Sequence, residues 1–322
     1  MNATLEQIAQ RIKKAKSVAI FTHMRPDGDA FGSALSLSAA LCNLGVENQV
    51  CVETDIPSNL AFLPEIERVK KRPDSEFDLL VCVDCSNLQR FGALSDEFLI
   101  ATRKKIDTVN IDHHISNERF AKYNYVRECA SNCMNMAKLI EYLGAPFDKK
   151  TAEYLLVGLL TDSGNFSHDD VGEEAFALAA KLASAGADVR YYHYQLFKKQ
   201  SKARAALHAQ VMGGMRYFFD DRFALITITQ DVMKKCGADN GMTEGFVDFP
   251  LNVDTVEVAA SIMEVEYKKY KISLRSKEYA DVNKIAGTFG GGGHIRAAGC
   301  MLFGDLEEVI DRLSYAVSQY LE

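Results

Sequence analysis

Aspartate and histidine, whose side chains bind divalent metals through oxygen and nitrogen, occur in four short clusters of this chain. The most informative cluster is Asp112-His113-His114, which follows the apolar run Thr108–Ile111 at the predicted end of a strand. Adjacent strand residues point to opposite faces, so at least one of the three needs a polar partner. The other clusters carry matching groups, which together supply enough ligands for two metal ions: His23, Asp27 and Asp29; Asp84; and Asp162.

Two metal ions held by such groups suit the hydrolysis of a phosphate ester. Ions about 3.5–4 Å apart neutralise the phosphoryl oxygens and make hydroxide available near neutral pH. Carboxylates favour hard cations such as Mg²⁺, and imidazoles shift the preference toward Mn²⁺. Asp84 follows an apolar strand, where it could bridge two ions. His113 could bind one ion and leave His114 to face a substrate.

Each cluster taken alone has an ordinary structural explanation. Asp27 and Asp29 suit a turn, Asp84 suits a helix cap, and Asp162 suits an N-cap or turn. All four clusters nevertheless fall at predicted strand ends or element termini of one domain, which favours convergence on one metal site. The segment His168-Asp169-Asp170 is a weaker candidate, and we predict a solvated loop there.

The elements that must position these residues alternate between strand and helix in the first half of the chain. Apolar strands that alternate with helices are typical of a parallel sheet covered on both faces, where ligands bind at the carboxyl ends of the strands. The predicted strands are Ser17–Phe21, Gln49–Val52, Asp78–Val83 and Thr108–Ile111. The predicted helices are Leu5–Ala15, Ala30–Leu44, Asn132–Leu143, Lys149–Leu160 and Glu173–Ala185.

The pattern changes after residue 190, where we predict a second domain. Residues 190–210 are rich in Tyr, Lys, Gln and Ala and predict a connecting helix. A hairpin around Asp220-Asp221, further strands, a glycine run and a helix from about Leu306 follow. We therefore predict an α/β protein with a metal-binding catalytic domain at 1–190, a linker and hinge at 191–215, and a smaller α/β domain across a cleft at 216–322.

Length, charge and cysteine usage limit the class of protein. The 322 residues are 48% hydrophobic, enough for two domains with cores of their own. A formal net charge of −7 argues against a protein that coats long duplex nucleic acid. We find no transmembrane run or signal peptide and predict no membrane association. The eight scattered cysteines suit reduced thiols in the cytoplasm, and the CxxC spacing of Cys82 and Cys85 lacks the second pair of a zinc knuckle.

In order and spacing, the four clusters resemble the motifs of the DHH phosphoesterases. The matching segments are His23–Ser33, Asp84, Asp112–His114 and Thr161–Gly164. In the second half, Ser273–Ser276 and Gly290–Gly299 resemble the DHH-associated C-terminal domain of nanoRNase-type members. The resemblance covers nearly the whole chain. One departure is Asn165–His168, where many relatives have an aromatic-Arg-aromatic segment, and this leaves the substrate preference open.

The resemblance implies a role for each matched residue. One Mn²⁺ would be held by His23, Asp27 and Asp84, and the other by Asp29, Asp84, His113 and Asp162, with Mg²⁺ or Co²⁺ as substitutes. Asp112 would orient a ligand histidine and His114 would hydrogen-bond a phosphoryl oxygen, so both would act with Asp84 in catalysis. The substrate phosphate would be bound by Arg275, Gly291, Gly292, Gly293 and His294. Glycines allow close backbone approach to an anion, and arginine offers a planar fork.

The implied activity is a Mn²⁺-dependent phosphoesterase that uses two-metal hydroxide attack. Its substrates would be very short RNA or DNA oligonucleotides, including pApA, and small phosphorylated nucleotides such as pAp. Three alternatives stay open: a cyclic di-AMP phosphodiesterase, an inorganic pyrophosphatase or polyphosphatase, and a non-catalytic nucleotide-binding regulatory module. The preferred substrate, the polarity of cleavage and the oligomeric state, including a homodimer, stay open as well.

Overall fold

The computed structural model describes residues 2–321. The chain divides after Lys199 into two compact units, called unit 1 and unit 2 below, and each unit has its own sheet. Within the described residues, no helix is long and apolar enough to cross a lipid bilayer.

Unit 1 is built on a sheet of five parallel strands. The strands are β1 (Ser17–Phe21), β2 (Glu47–Cys51), β3 (Leu79–Val83), β4 (Asp107–Asp112) and β5 (Tyr123–Val126). They lie in the order β2-β1-β3-β4-β5, and each neighbouring pair is parallel. The parallel sheet confirms the predicted fold class. Strand β5 was not predicted, because its four residues include the polar Asn124 and lack a continuous apolar run.

Helices cover both faces of this sheet. They are α1 (Leu5–Ile12), α2 (Gly28–Asn43), α3 (Leu94–Arg103), α4 (Asn132–Leu143), α5 (Lys149–Asp162), α6 (Glu173–Ser184) and α7 (Val189–His193). Alternate residues of β1 separate two cores: Val18 and Ile20 pack toward α1, α2, α4 and α5, whereas Phe21 packs toward α3 on the opposite face. Cys82 and Cys85 are buried free thiols in the α3 core.

The connection into unit 2 differs from the single helix that the sequence predicts. After α7, residues Tyr194–Lys198 form a π-helical turn. The chain then leaves the helical conformation, and helix α8 (Lys202–Gly213) begins anew. The break has a local cause, because the hydroxyl of Ser201 accepts the N–H of Arg204 at 3.0 Å and so caps α8.

Unit 2 contains a mixed sheet of six strands. They are β6 (Arg216–Phe218), β7 (Phe223–Ile228), β8 (Val258–Glu266), β9 (Lys269–Ser276), β10 (Gly292–His294) and β11 (Ala297–Phe303). The order is β10-β11-β9-β8-β7-β6, with β7 and β8 parallel and the other pairs antiparallel. The predicted hairpin around Asp220-Asp221 is the β6–β7 pair.

Helices pack on both faces of the second sheet as well. They are α9 (Gln230–Cys236), α10 (Val282–Gly287) and α11 (Leu306–Ser318), in addition to α8 and the 3₁₀ segment Phe246–Asn252. One face packs against α10 and α11, and the β7 part of the other face packs against α8, α9 and the 3₁₀ segment. Along β9, Ile272 and Leu274 are buried toward α10 and α11, whereas Arg275 lies on the opposite face and is partly exposed.

Candidate metal centre

All six predicted metal ligands converge at the carboxyl ends of the strands of unit 1. Their ligand atoms form two groups, each within 4.8 Å: His23, Asp27 and Asp84, and Asp29, His113 and Asp162. A third group joins Asp84 and His113 to the two other residues predicted to act in catalysis, Asp112 and His114. The site therefore gathers carboxylates and imidazoles from four separate segments.

The strand order explains how three of these residues meet. Strands β1, β3 and β4 lie side by side in the centre of the sheet, and His23, Asp84 and His113 follow their carboxyl ends. Asp84 has a φ of 51°, a left-handed conformation that costs a non-glycine residue about 1–2 kcal/mol. Such strain is characteristic of functional sites, and here it accompanies a sharp turn directly after β3.

Asp29 and Asp162 meet because helices α2 and α5 pack very closely. A Cβ atom at Gly32 would lie 2.7 Å from the carbonyl oxygen of Tyr154. A Cβ atom at Gly158 would lie 2.6 Å from Oδ1 of Asp29. Glycine at both positions therefore permits the approach that brings Asp162, the last residue of α5, to Asp29 near the start of α2. The alternative that Asp162 is an N-cap is wrong.

The start of α4 holds the buried Asp29 carboxylate. Oδ1 accepts the hydroxyl of Ser131 at 2.6 Å and the N–H of Cys133 at 3.0 Å, while Oδ2 accepts the N–H of Asn132 at 2.6 Å. Free N–H groups and the helix dipole favour an anion at this position. These contacts were not predicted, although Ser131 directly before the predicted helix is typical of an N-cap.

His23 and Asp84 face each other with unpaired acceptor atoms. Nδ1 of His23 lies 3.0 Å from the carbonyl oxygen of Met24, which can only accept, so Nδ1 carries the proton. Nε2 lies 3.7 Å from Oδ2 of Asp84. Burial lowers the pKa of His23, but the hydrogen bond and charge of Asp84 outweigh it and raise this pKa, so Nε2 presents a lone pair only once it has lost its proton. Nε2 of His23 and Oδ1 of Asp84 are buried without a hydrogen-bond partner in the described structure. Buried polar atoms without partners on two neighbouring metal-ligand side chains fit a cation at this position.

His113 also bonds a backbone carbonyl through Nδ1 and directs Nε2 at acidic side chains, here three carboxylates. Its Nδ1 donates to the carbonyl oxygen of Cys129 at 2.7 Å. Its Nε2 lies 3.4 Å from Asp162, 3.5 Å from Asp84 and 3.9 Å from Asp29. The hydrogen bond to Cys129 fixes the ring orientation, as partners of metal-binding histidines do.

In the metal-free protein, protons relieve the crowding of these charges. Burial and the charge of Asp84 raise the pKa of Asp29 to about 6. Burial and the charge of Asp29 raise the pKa of Asp162 to about 8. Burial lowers the pKa of His113, but the charges of Asp29 and Asp84 outweigh it and raise this pKa to about 9. A divalent cation can replace such protons, and the oxygen-rich donor set with imidazole nitrogens fits one.

Asp112 is occupied by hydrogen bonds. Oδ1 accepts the N–H of His113 and Nδ1–H of His114, both at 2.8 Å, and Oδ2 accepts the side-chain amide of Asn117 at 2.5 Å. Burial raises the pKa of Asp112, but the bonds from His114 and Asn117 outweigh it, so the pKa lies below its usual value. The charged Asp112 orients His114, whose side chain is 34% exposed. Asn117 was missed by sequence analysis.

Residues 168–170 are all exposed, as the predicted solvated loop requires, and one contact ties this loop to α5. The ring of His168 is exposed, yet its Nδ1 donates to the carbonyl oxygen of Asp162 at 2.7 Å. Gly164, Asn165 and Phe166 all have positive φ, between 56° and 65°. His168 therefore ties this left-handed turn to the end of α5.

In unit 2, the strand register places Arg275 and His294 on one face of the sheet. Arg275 of β9 lies opposite Ala297 of β11, and Ala297 lies opposite His294 of β10. Directly opposed residues of antiparallel strands point to the same face, so a small alanine separates the two basic side chains. Nε of Arg275 donates to Oδ1 of Asp248 at 2.9 Å. Sequence analysis missed this contact, which joins residues of two distant segments.

The glycine run lets β10 lie close to β11. A Cβ atom at Gly291 would lie 2.2 Å from the carbonyl oxygen of Gly299, and one at Gly293 would lie 2.4 Å from that of Ala297. The N–H of Gly293 donates to Oδ1 of Asn283 at 2.8 Å. Gly292 and His294 are exposed on this edge strand.

Comparisons with known proteins identify the family. Residues 17–159 match the DHH family, N-terminal domain, and residues 225–322 match the DHHA1 domain.

The chain is 31% identical over 322 residues to the bifunctional oligoribonuclease and PAP phosphatase NrnA of Thermus thermophilus, across 98% of this chain and 93% of that protein. It is 27% identical to a probable bifunctional oligoribonuclease and PAP phosphatase NrnA of Streptococcus mutans, across 91% of each. A crystal structure of an exopolyphosphatase-related protein from Bacteroides fragilis matches with a TM-score of 0.84 and 28% identity, across 98% of this chain and 96% of that one. The resemblance is confirmed, and the chain belongs to the DHH family with a C-terminal DHHA1 domain.

Proposed function

We propose that this protein is a two-metal phosphoesterase that hydrolyses very short oligonucleotides, including pApA, to mononucleotides and pAp to AMP. The observation that carries the proposal is the convergence of six ligand-type side chains, two of which have buried atoms without a hydrogen-bond partner among residues 2–321. The substrate class is supported by the relatives named as oligoribonucleases and PAP phosphatases, which match this chain along nearly all its length.

The proposed resident ions are two Mn²⁺. His23, Asp27 and Asp84 would hold one, and Asp29, Asp84, His113 and Asp162 would hold the other. Imidazole nitrogen in each set supports Mn²⁺ over Mg²⁺. When bound, the ions supply positive charge at the phosphoryl oxygens and lower the pKa of water.

His114 is proposed to hydrogen-bond a phosphoryl oxygen during the reaction. Asp112 accepts the Nδ1–H, which gives the ring one preferred orientation, and in the doubly protonated ring Nε2–H is left to donate to the substrate. A donor fixed in advance at the position where negative charge develops stabilises the transition state.

Unit 2 is proposed to bind the second phosphate of the substrate. Arg275 and His294 share one sheet face. Gly291, Gly292 and Gly293 lie on the neighbouring edge, where the N–H groups of Gly291 and Gly293 already donate to Ala286 and Asn283, so the proposed contribution of the glycines is close backbone approach. A guanidinium fork matches phosphate geometry, which supports Arg275 as the main affinity contact.

The proposed substrates are short RNA or DNA and small nucleotides, without long duplex nucleic acid. The net charge of −7 supports this choice, because binding of long duplexes depends on many Lys and Arg contacts. We also propose a reducing compartment, the cytoplasm, which the eight free cysteines support.

A substrate panel with Mn²⁺ tests the function. Purified protein is incubated with di- to pentanucleotides, pApA, pAp, cyclic di-AMP and pyrophosphate, and products are followed by chromatography and phosphate release. We expect mononucleotides from the oligonucleotides and AMP from pAp, and slower turnover of cyclic di-AMP and pyrophosphate. Asp84→Asn protein prepared in parallel controls for contaminating enzymes. Intact oligonucleotides, pApA and pAp would refute the proposal, and fast release of phosphate from pyrophosphate alone would favour a pyrophosphatase.

A further inference from the structure

A buried carboxylate in unit 2 holds a backbone segment next to the proposed phosphate-binding residues. Glu257, directly before β8, is 5% exposed. Its Oε1 accepts the N–H groups of Glu278 at 3.1 Å, Tyr279 at 2.8 Å and Ala280 at 2.8 Å, and its Oε2 accepts that of Glu278 at 3.0 Å. Burial of a charge is unfavourable unless hydrogen bonds compensate it, and here all four bonds go to the segment 278–280.

Arg296 binds the carbonyl side of the same segment. Its Nη1 donates to the carbonyl oxygen of Ala280 at 3.0 Å, and its Nη2 donates to that of Glu278. The N–H groups of segment 278–280 thus face a carboxylate and two of its carbonyls face a guanidinium. Charge-assisted hydrogen bonds are about twice as strong as neutral ones. We call Glu257 and Arg296 the Glu257–Arg296 clamp.

The clamp is joined to both sides of His294. Arg296 lies two residues after His294, in the turn between β10 and β11. The N–H of Val282 donates to the carbonyl oxygen of Ile295 at 2.9 Å, and Asn283 accepts the N–H of Gly293 at 2.8 Å. Val282 and Asn283 begin helix α10, which directly follows the clamped segment.

The clamp is joined to Arg275 as well. The N–H of Ser276, the residue after Arg275, donates to the carbonyl oxygen of Arg296 at 3.2 Å. The N–H of Lys277 donates to the carbonyl oxygen of Glu257 at 2.9 Å. The chain on the C-terminal side of Arg275 is therefore tied to both members of the clamp.

We propose that Glu257 and Arg296 are positioning residues for phosphate binding. They fix segment 278–280 and, through it, the backbone of residues 293–295. The side chain of His294 therefore stays on the same sheet face as Arg275. The inference rests on the proposed function of unit 2 and deepens it. A histidine at the end of a glycine run has a flexible backbone, and its restriction before binding raises affinity. Arg296 binds carbonyl oxygens of its own chain and acts through His294.

Four variants separate this role from general stability. Glu257→Ala removes all the acceptors, Glu257→Gln keeps a neutral oxygen, and Arg296→Lys removes the fork. Glu278→Ala is the matched control, because it removes an exposed carboxylate from the same segment and keeps the backbone. Thermal unfolding and hydrogen exchange in unit 1 report whether each variant is folded.

The first measurement is hydrogen exchange of ligand-free protein, read by mass spectrometry. We expect peptides covering 290–296 to exchange about tenfold faster in Glu257→Ala and Arg296→Lys, less so in Glu257→Gln, and at the wild-type rate in Glu278→Ala. Unchanged exchange of 290–296 in both Glu257→Ala and Arg296→Lys would overturn the proposal. Equal acceleration throughout unit 2 in Glu257→Gln would also overturn it, because Glu257 would then stabilise the whole unit.

The second measurement is turnover with Mn²⁺. We expect KM for pAp to rise about tenfold in Glu257→Ala with kcat within about twofold, and Glu257→Gln to restore part of the loss. Hydrolysis of bis(p-nitrophenyl) phosphate, which offers no second phosphate, should stay at the wild-type rate. An unchanged KM for pAp alongside faster exchange would refute the link to phosphate. Wild-type protein that leaves pAp intact would refute the proposed function itself, while the exchange result would still decide whether the clamp fixes residues 293–295.

Discussion

The two units differ in whether their charged side chains are already paired within the protein. In unit 1, Nε2 of His23 and Oδ1 of Asp84 are buried and have no hydrogen-bond partner among the described residues, and burial and neighbouring charges raise the pKa of Asp162 to about 8. In unit 2, Arg275 is already paired with Asp248, and Arg296 is bound to carbonyl oxygens. Unit 1 therefore has unfavourable electrostatics that a cation can relieve, whereas unit 2 has cationic groups already held in place by protein partners.

This difference implies a division of labour. Loss of one ligand from a crowded cluster changes how the remaining groups share protons and ions, so its effect on rate should be steep. Loss of one contact from a surface that is already satisfied should mainly change affinity. The following predictions test this division, from the largest expected effect to the smallest.

Asp84→Asn should have the largest effect. Asp84 lies 3.7 Å from His23 and 3.5 Å from His113, so it is placed to serve both ligand groups. Asparagine tolerates the left-handed conformation, so the fold should persist. We expect kcat on pAp with Mn²⁺ to fall by about 1,000-fold or more and bound Mn²⁺ to fall from two ions to one or none, measured by elemental analysis. Asp169→Asn, an exposed carboxylate of unit 1, is the control. Two retained ions and full activity would contradict the central place of Asp84.

The adjacent histidines should separate metal binding from transition-state binding. We expect His114→Ala to lower kcat by about 100- to 1,000-fold and to keep both Mn²⁺ ions, because its Nε2 faces away from Asp112. His113→Ala should lose activity together with metal, because its Nε2 faces three carboxylates. Metal content and kcat are measured on the same samples. Metal loss in His114→Ala equal to that in His113→Ala would contradict the distinct roles.

Metal-dependent stability should grow as the pH rises. The pKa of Asp29 is raised to about 6 and that of Asp162 to about 8, so the stability that their protonated forms supply is present at low pH and is lost as the pH rises through these values. His113, with a pKa of about 9, loses its contribution in the same direction. Because Mn²⁺ takes the place of the protons, we expect it to raise Tm more at pH 8.5 than at pH 6. Mn²⁺ at 100 times its Kd would add about 2.7 kcal/mol to the free energy of unfolding. Equal gains in Tm at both pH values would contradict the coupling.

Arg275→Ala should weaken binding more than it slows the reaction. We expect KM for pAp to rise about 10- to 100-fold, because the guanidinium is proposed to supply charge-assisted hydrogen bonds to phosphate. The change in kcat should be within about threefold, since unit 1 keeps its ligand set. Lys271→Ala, an exposed cation on the same strand, is the matched control. A large fall in kcat with unchanged KM would show that Arg275 acts in the chemical step.

The sequence predicts the parts of this molecule that local physical chemistry specifies. The apolar runs of β1, β3 and β4 are buried on both faces, and residues of metal-ligand type follow at the ends of these strands. Both the sheet and the convergence of six side chains could therefore be inferred. The glycine run before His294 could also be recognised from the sequence alone.

Contacts between distant segments could not be inferred in the same way. Glu257 bonds to residues 278–280 because the tertiary fold brings them together. Asn117 bonds to Asp112 within one loop, but a single Asn or Glu has no local pattern that marks either contact. Strand β5 is held by its pairing with β4 and has no apolar run of its own. The break between the π-helical turn and α8 depends on the Ser201 cap, which competes with an otherwise helical composition.

The smallest effect, and the sharpest test of the satisfied surface in unit 2, should come from Asp248→Asn. Asp248 is 55% exposed and Arg275 33% exposed, so their ion pair contributes little to stability. Asparagine keeps the oxygen that accepts from Nε of Arg275 but removes the negative charge beside the incoming phosphate. We expect KM for pAp to fall about two- to fivefold, and the gain to shrink in high salt because exposed charges are screened. Asp248→Ala removes the oriented acceptor as well and should lose this gain. If KM instead rises in Asp248→Asn, the charge of Asp248 is needed to hold Arg275. Removing one charge would then impair unit 2 as it impairs the metal centre, and the contrast between the two units would not hold.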